Sequence, residues 1–333
     1  MSTESRFSRP IPRLAATAAV TAGLVLLAAC GSSSDSDGSG TPKSSSKGSA
    51  APGAKAADSN GVPTQDVLSG IAADPALKAE LPAKVRDSGK LILGTSQTPG
   101  LTGLPHGGEV DGKQVGLDVD LREAVAKVLG VRWDVQYGTF PTVIPGVQNG
   151  RYDVGQDNFG ATKEREKVVD FATYLNDGQS FLAAKDVPVD TVKQLTDLCG
   201  LTIATSPGST FQQILTDGAG KCAAIGKKPY KVEYYADNGT ILLGLQNGKV
   251  QVSFGPTLGV KYQSAHVPNT KFLGEISTTP VGFVTAKNSP IAKALSDAVN
   301  KLIASGDYAK IFAKWSLPGS GIPQSVLNPT PTF

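Results

Sequence analysis

The residues best suited to binding chemistry lie in one short stretch, ATKER at positions 161 to 165. Thr162 is a preferred N-cap residue, and Glu164 falls in a first turn, where the helix dipole favours acidic side chains. Arg165 carries a planar guanidinium that can hold a carboxylate through two parallel hydrogen bonds. Taken alone, the stretch is typical of a solvated helix start in which Arg165 pairs with Asp157 or Glu164. The rest of the chain must decide between these two interpretations.

Residues for catalysis are scarce. The chain has two histidines, His106 and His266, which are far apart in the sequence, and three cysteines. A hydrolase would need a nucleophile with a base, paired carboxylates or a metal cluster, and no His/Cys/Asp cluster is present in the sequence. We therefore expect a binding protein rather than an enzyme, with no cofactor and no bound metal. Nucleic acid is not an expected partner either, because 32 basic residues are balanced by 29 acidic ones.

The first thirty residues predict export and a lipid anchor. Three arginines precede an apolar run at positions 14 to 29. At about 16 residues this run is short for a membrane-spanning helix, which needs about 20, and it fits a secretory leader. The run ends in LLAAC, which resembles the lipobox of bacterial lipoproteins. We therefore expect a signal peptide at residues 1–29, lipid on Cys30, and a position on the extracellular side of the cell membrane.

Residues 30–60 comprise the expected lipid site, Cys30, and a run of Ser, Gly, Ala, Lys and Asp after it. Such a segment buries too little apolar surface to offset its chain entropy, so it is predicted to be a flexible tether. No other stretch is long and apolar enough to span a membrane.

The cysteines predict one disulfide bond. With Cys30 assigned to lipid, Cys199 and Cys222 remain, in an exported setting where disulfides persist. A bond between them would close a loop of about 23 residues and contribute about 3 kcal/mol to stability in the loop-entropy picture. A metal site or a reactive Cys–His pair is the alternative, although nearby sequence supports neither.

From residue 61 to the C-terminus there are about 270 residues, enough for two compact lobes. Strand-like runs alternate with helical patterns, which predicts an α/β fold with a largely parallel sheet. These runs lie at residues 90–96, 132–138, 180–186, 201–206, 230–235, 250–255 and 282–287.

An internal repeat supports two similarly built lobes. The segments at 143–154 and 241–252 share the order apolar, apolar, any residue, Gly, apolar, Gln-Asn-Gly, basic, and end in Val. In each, a helix is predicted to end at Asn-Gly, where a left-handed residue is needed, and a strand follows. Coincidence of a common helix-to-strand turn is the alternative.

Three further helices can be placed from their ends. Asp120 and Glu123 form a capping-box pattern at the start of one helix, and Gly130 is expected to end it. A long apolar helix is predicted after an N-cap at Ser289, and a short one starts at Asp307. The aromatic residues of these last helices are expected to be core.

Seven segments in this order carry a family resemblance. They are SGKLILGTS, GKQVGLDVDLREAVAKVLGV, TFPTVIPGVQNGRYDV, ATKEREKVVDFATYL, DLCGLTIATSPGST, LGLQNGKVQV and the C-terminal run from GFVTAK to FAKWSL. Between about residues 80 and 318 the chain resembles the extracytoplasmic solute-binding proteins of ABC importers, of the amino-acid-binding type (family 3). Its two cysteines are similar to those of lipoproteins in an actinobacterial branch.

The resemblance implies a particular fold. It is α/β, with two Rossmann-like lobes and a cleft between them, as in periplasmic binding proteins of type II. The first lobe would comprise residues 61–184 and return at 280–333, and the second would comprise 185–279.

The resemblance also implies ligand-binding residues. The arginine at the position of Arg165 binds the α-carboxylate of the ligand in this family, at a helix start formed here by Thr162. Gly160 would donate its backbone N–H to the same group. In the second lobe, Ser209 and Thr210 match a second set of carboxylate donors.

Two departures from the family concern the rest of the ligand. The family usually has a stacking aromatic residue soon after the first strand, and none occurs in TSQTPGLTGLPHGG. Phe140 and Tyr174 are candidate cleft aromatics, and each could equally belong to the core. The family also has an aspartate for the ligand ammonium where this chain has Pro256, which offers neither charge nor N–H. Asp157, Asn158 or Asp177 could take over that role.

We therefore expect a monomeric, lipid-anchored receptor that binds an amino acid or a related small carboxylate. Its partners would be this ligand, the bilayer through Cys30 and an ABC permease. The alternative is a binding protein that signals to a membrane partner without transport.

Overall fold

The described part of the chain, residues 57–58 and 60–332 of the computed structural model, contains ten β-strands and eleven α-helices in one compact unit. The predicted leader, Cys30 and the tether up to residue 56 lie outside it. The strands are β1 Lys90–Ser96, β2 Gly108–Val110, β3 Lys113–Val115, β4 Arg132–Gly138, β5 Val154–Gly155, β6 Val169–Ala184, β7 Thr202–Thr205, β8 Lys231–Tyr234, β9 Val252–Pro256 and β10 Thr270–Ala286. The helices are α1 Pro75–Glu80, α2 Ala83–Ser88, α3 Leu117–Leu129, α4 Phe140–Gln148, α5 Lys163–Glu166, α6 Thr210–Asp217, α7 Lys221–Ala224, α8 Asn238–Gln246, α9 Thr257–His266, α10 Pro290–Ser305 and α11 Asp307–Lys314.

Eight of these strands form one sheet in the order β4-β1-β5-β10-β6-β9-β7-β8. We call the part of the sheet that contains β4, β1 and β5 the first half, and the part that contains β9, β7 and β8 the second half. In the first half, β1 is parallel to β4 and β5. In the second half, β7 is parallel to β8 and β9. Between the halves, β6 and β10 are antiparallel to each other and to their outer neighbours. The predicted α/β class is therefore confirmed, whereas the expectation of a largely parallel sheet holds only for the outer strands.

The middle strands β6 and β10 are much longer than the sequence indicates. They have 16 and 17 residues, and the runs predicted at 180–186 and 282–287 lie at their C-terminal ends. The centre of β6 contains Asp177 and Gln179, which are buried at 3% and 4% exposure. These polar residues interrupt the apolar pattern, so the two strands are not recognisable as continuous from sequence alone.

The hydrophobic cores divide at the middle strands. Buried core residues of the first half come from positions 62–175 and 281–322. Those of the second half come from positions 181–273. The predicted boundary after residue 184 coincides with the end of β6, and the one after residue 279 falls within β10. The domain limits themselves remain predictions.

Helix α3 begins earlier than predicted. Its first residue is Leu117, so Asp120 lies inside the helix and is not its N-cap. The buried Asp120 carboxylate accepts a hydrogen bond from Trp315 Nε1 at 2.7 Å and pairs with Lys314 Nζ at 2.8 Å. Because both partners come from the C-terminal region, the sequence around α3 gave no sign of this role.

The repeated Asn-Gly segments adopt the same turn. Gly150 follows α4 and Gly248 follows α8, with left-handed φ values of 76° and 73°. In the first turn Tyr152 N donates to Gly146 O, and in the second Val250 N donates to Gly244 O, both at 3.1 Å. The predicted similarity of the two segments is confirmed at the level of backbone hydrogen bonds.

The predicted disulfide is present. Cys199 and Cys222 are joined with an S–S distance of 2.07 Å, which links the end of a 3₁₀ helix at Leu195–Leu198 to helix α7. Helices α10 and α11 begin after Ser289 and at Asp307, as predicted. None of the helices in the described residues is long and apolar enough to cross a bilayer.

Candidate ligand-binding cleft

A cavity of about 380 Å³ lies at the carboxyl ends of the parallel strands of both halves. Its walls include one residue at or just after each of these strands: Ser96, Thr139, Gln156, Ser206, Ala236 and Pro256. Ligands of open α/β sheets bind outside the carboxyl ends of strands, because the loops that follow bring polar groups together there. The volume falls within the range of small-molecule sites.

Arg165 lies in this wall and reaches from the first half to the second. Thr162 caps the short helix α5 by accepting a hydrogen bond from Arg165 N at 3.2 Å. The guanidinium donates from Nη1 to Gly160 O at 2.8 Å and from Nη2 to Gly208 O at 2.9 Å. A guanidinium has five N–H donors, so these two bonds leave others for a ligand.

Two aromatic rings flank the guanidinium of Arg165. Its guanidinium carbon lies 5.7 Å from the centre of the Phe140 ring and 5.5 Å from that of Phe159. Burial disfavours the charged form and lowers the pKa of Arg165 to about 10. The side chain therefore remains a cation at neutral pH in a setting where a carboxylate would interact strongly with it.

The second half contributes the start of helix α6 to the cavity. Ser209 is the N-cap: its hydroxyl accepts from Gln212 N at 3.1 Å and donates to Ser206 O at 2.6 Å. Ser209 and Thr210 both line the cavity. Because the Ser209 hydroxyl is used within its own loop, the free N–H groups of the first helical turn are what this segment can offer an anion.

Asp157 is the partly buried carboxylate beside β1. It accepts hydrogen bonds from Ser96 N at 3.2 Å and from Ser96 Oγ at 2.8 Å. Burial raises its pKa to about 6, and the charge of Asp118 adds to this, although the Ser96 bonds and His106 oppose the shift. Asp157 is thus an acid that a ligand ammonium would help to ionise.

Asn158 also lines the cavity, whereas Asp177 is not among its lining residues. The Asp177 carboxylate accepts from His106 Nε2 at 2.9 Å, from Asn158 Nδ2 at 3.0 Å and from Leu258 N at 3.1 Å. With its oxygens used in this way, Asp177 joins the loop before α3 to the start of α9. Of the three residues considered for the ligand ammonium, Asp157 and Asn158 are therefore in place.

His106 is a partly buried cation in the same wall. Its ring lies between Asp177 and Asp118, with 3.5 Å from Nδ1 to the Asp118 Oδ2 atom. Burial disfavours the imidazolium, but the two carboxylates outweigh this and raise the pKa of His106 to about 10. The sequence offered no indication that this isolated histidine would belong to the site.

Three of the predicted binding residues do not line the cavity. Tyr174 is fully buried in the first core, where its ring centre lies 4.8 Å from that of Phe283. Its assignment as a cleft aromatic is not supported, because β6 turns this side chain into the core. Gly160 and Thr162 lie behind Arg165 and contact it through a carbonyl and a hydroxyl oxygen. Phe140 lines the cavity as predicted.

Sequence reasoning also missed Asp118, Arg122 and Gln156, which all line the cavity. Asp118 and Arg122 are four positions apart, so they lie on one face of α3. Placing the start of α3 at Asp120 left Asp118 outside the helix and hid this spacing. The i, i+4 pair is the signal that a correct helix start would have revealed.

The fold is a mixed α/β fold with a central sheet, and it matches the type II periplasmic-binding-protein class. Residues 105–318 match the family of bacterial extracellular solute-binding proteins, family 3. The chain belongs to this family.

Individual relatives bind amino acids, according to their names. The chain is 27% identical to the arginine-binding protein ArgT of Corynebacterium glutamicum, over 66% of this chain and 73% of that protein. It is also 27% identical to the L-glutamate/L-aspartate-binding protein of Pseudomonas aeruginosa, over 70% and 78%. Among solved structures, an ancestral arginine-binding protein bound to arginine aligns with a TM-score of 0.61 and 30% identity, over 68% of this chain and 98% of that one.

One more distant relative is an enzyme, the cyclohexadienyl dehydratase of Pseudomonas aeruginosa. It is 25% identical over 46% of this chain and 55% of its own length. The relatives are nevertheless mostly binding proteins.

Proposed function

We propose that this chain is a lipid-anchored receptor that binds a free amino acid between its two halves and delivers it to an ABC permease. The observation that carries the proposal is the position of Arg165. Its guanidinium lies in the cavity wall and touches both halves, through Gly160 and Gly208. A carboxylate bound there would join the same two halves.

The groups around Arg165 fit an α-amino acid. The start of α6 provides N–H donors for the carboxylate. Asp157, whose pKa is raised to about 6, provides an acceptor for the ammonium. The names of the relatives in the preceding section agree with an amino acid as ligand. From these names we infer transport rather than enzymatic action. From the motif LLAAC we infer that Cys30 bears the lipid.

A thermal-shift screen of the purified full-length chain against the free amino acids tests this proposal. An amino acid present at 100 times its Kd should stabilise the protein by about 2.7 kcal/mol. The α-amide of the same amino acid should stabilise it far less, because it lacks the carboxylate that Arg165 would bind. If no free amino acid raises the melting temperature, or if the α-amide acts equally well, the proposal is wrong.

A further inference from the structure

Arg122 is a second guanidinium in the cleft, and it has no partner among the described residues. It projects from helix α3 into the cavity wall and is only 6% exposed. Its Nε is fully buried and has no hydrogen-bond partner among the described residues. Arg165, in contrast, is held by two carbonyl oxygens.

A buried, unpaired guanidinium is unfavourable for the protein alone, because it loses hydration without gaining a counter-charge. Burial accordingly lowers the pKa of Arg122, although Glu123 and Asp118 attract its charge from a distance. Neither carboxylate forms an ion pair with it. A ligand that brings an anion to Arg122 would supply what the fold does not.

The acids of the cavity wall each interact with a neighbouring group of the protein, and none of them pairs with Arg122. Asp157 accepts two hydrogen bonds from Ser96. Asp237 caps α8 and binds Thr240 through both of its oxygens. Asp118 faces the His106 imidazolium through Oδ2, whereas its buried Oδ1 has no hydrogen-bond partner among the described residues. Arg122 differs from these acids in that its buried Nε has no hydrogen-bond partner among the described residues, so it can receive an anionic group of the ligand.

We propose that the cleft selects amino acids whose side chain ends in an anionic group, and that Arg122 holds this group. The inference rests on the proposed function, since Arg165 must already hold the α-carboxylate. A basic side chain at the same place would bring a second cation against Arg122 and should be disfavoured. Arg122 is then a specificity-determining residue, and its removal should affect acidic ligands only.

Calorimetry with the full-length chain tests the inference, with L-glutamate, L-aspartate, L-glutamine and L-arginine as probes. L-Glutamate and L-glutamine have nearly the same shape, so their affinity ratio reports the contribution of charge. In the parent protein at least one of the two acidic probes should bind about tenfold or more tightly than L-glutamine and L-arginine. In Arg122→Gln the affinity for that probe should fall about 10- to 100-fold, while L-glutamine binding changes by less than about threefold.

Arg132→Gln is the matched control, because Arg132 is exposed at the start of β4 and is not a cavity residue. This variant should keep the affinities of the parent. If Arg122→Gln does not fold, the glutamate-to-glutamine ratio of the parent still decides. Equal binding of these two probes, or preference for L-arginine, overturns the inference while leaving the proposed receptor function intact. Failure of every free amino acid to bind overturns both.

Discussion

At the residue scale, the cleft is organised around charges that the fold only partly compensates. Arg165 is held by carbonyl oxygens of both halves, and His106 by two carboxylates. Asp157 lines the same cavity, and its pKa is raised to about 6, chiefly by burial. Its charge therefore changes in a pH range that binding experiments can reach.

Asp157 should make ligand affinity depend on pH. Its pKa in the folded protein lies above the ordinary value of 3.8, so the neutral form is favoured below about pH 6. A ligand ammonium needs the carboxylate, and affinity for an amino acid should therefore fall about tenfold between about pH 7 and about pH 5. Asp157→Asn should bind more weakly at neutral pH and lose this dependence.

Calorimetry of both proteins across this pH range checks the prediction. The same raised pKa means that the charge of Asp157 disfavours folding, a cost that grows as the pH rises from about 4 and is complete above about 6, so Asp157→Asn should not destabilise the unliganded protein at neutral pH. If Asp157→Asn keeps the full pH dependence of ligand affinity, another titrating group causes that dependence and the prediction is wrong.

Individual site residues differed in how well the sequence revealed them. Arg165 was identifiable because its neighbours in sequence, a cap and a helix start, are also its neighbours in space. Arg122 and His106 were missed because tertiary contacts place them in the cleft: His106 binds Asp177 of β6, and α3 packs against β4, α10 and α11. Tyr174 was left between cleft and core because the direction of a side chain on a strand does not follow from its residue type.

At the element scale, the short helices and turns followed from local chemistry, whereas the central strands did not. Helix ends at Gly130, Ser289 and Asp307 were predicted correctly, since caps act within a few residues. The continuity of β6 and β10 depends on their pairing with each other along most of their length. Polar residues at the centre of β6 are tolerated because neighbouring elements supply their hydrogen bonds.

The disulfide should stabilise the second half without shaping the cleft. Neither Cys199 nor Cys222 lines the cavity, and the bond closes a loop across a separation of 23 residues. Replacing both cysteines by serine should therefore lower the free energy of unfolding by about 3 kcal/mol in urea titrations. Ligand affinity measured well below the transition should stay within about threefold of the parent value. An unchanged unfolding midpoint would show that the bond contributes little.

At the scale of the whole molecule, the predicted lipid anchor would hold the receptor beside its permease. The motif LLAAC and the polar segment that follows support this prediction, and both lie outside the described residues. Cys30→Ser expressed in a bacterium that processes lipoproteins should abolish incorporation of labelled fatty acid. The protein should then appear in the medium or as unprocessed precursor. Retention of a mature-sized protein on the membrane would contradict the anchor.

The central claim is that the cleft binds an amino acid through Arg165. Isothermal titration calorimetry should compare the parent, Arg165→Ala and Lys163→Ala, using the amino acid that gives the largest thermal shift. Lys163 is exposed on the same short helix and is not a cavity residue, so its variant should bind as the parent does. Arg165→Ala should lose about 2–5 kcal/mol of binding free energy, which corresponds to a roughly 30-fold to several-thousand-fold rise in Kd. An Arg165→Ala protein that binds this amino acid as tightly as the parent would contradict the account.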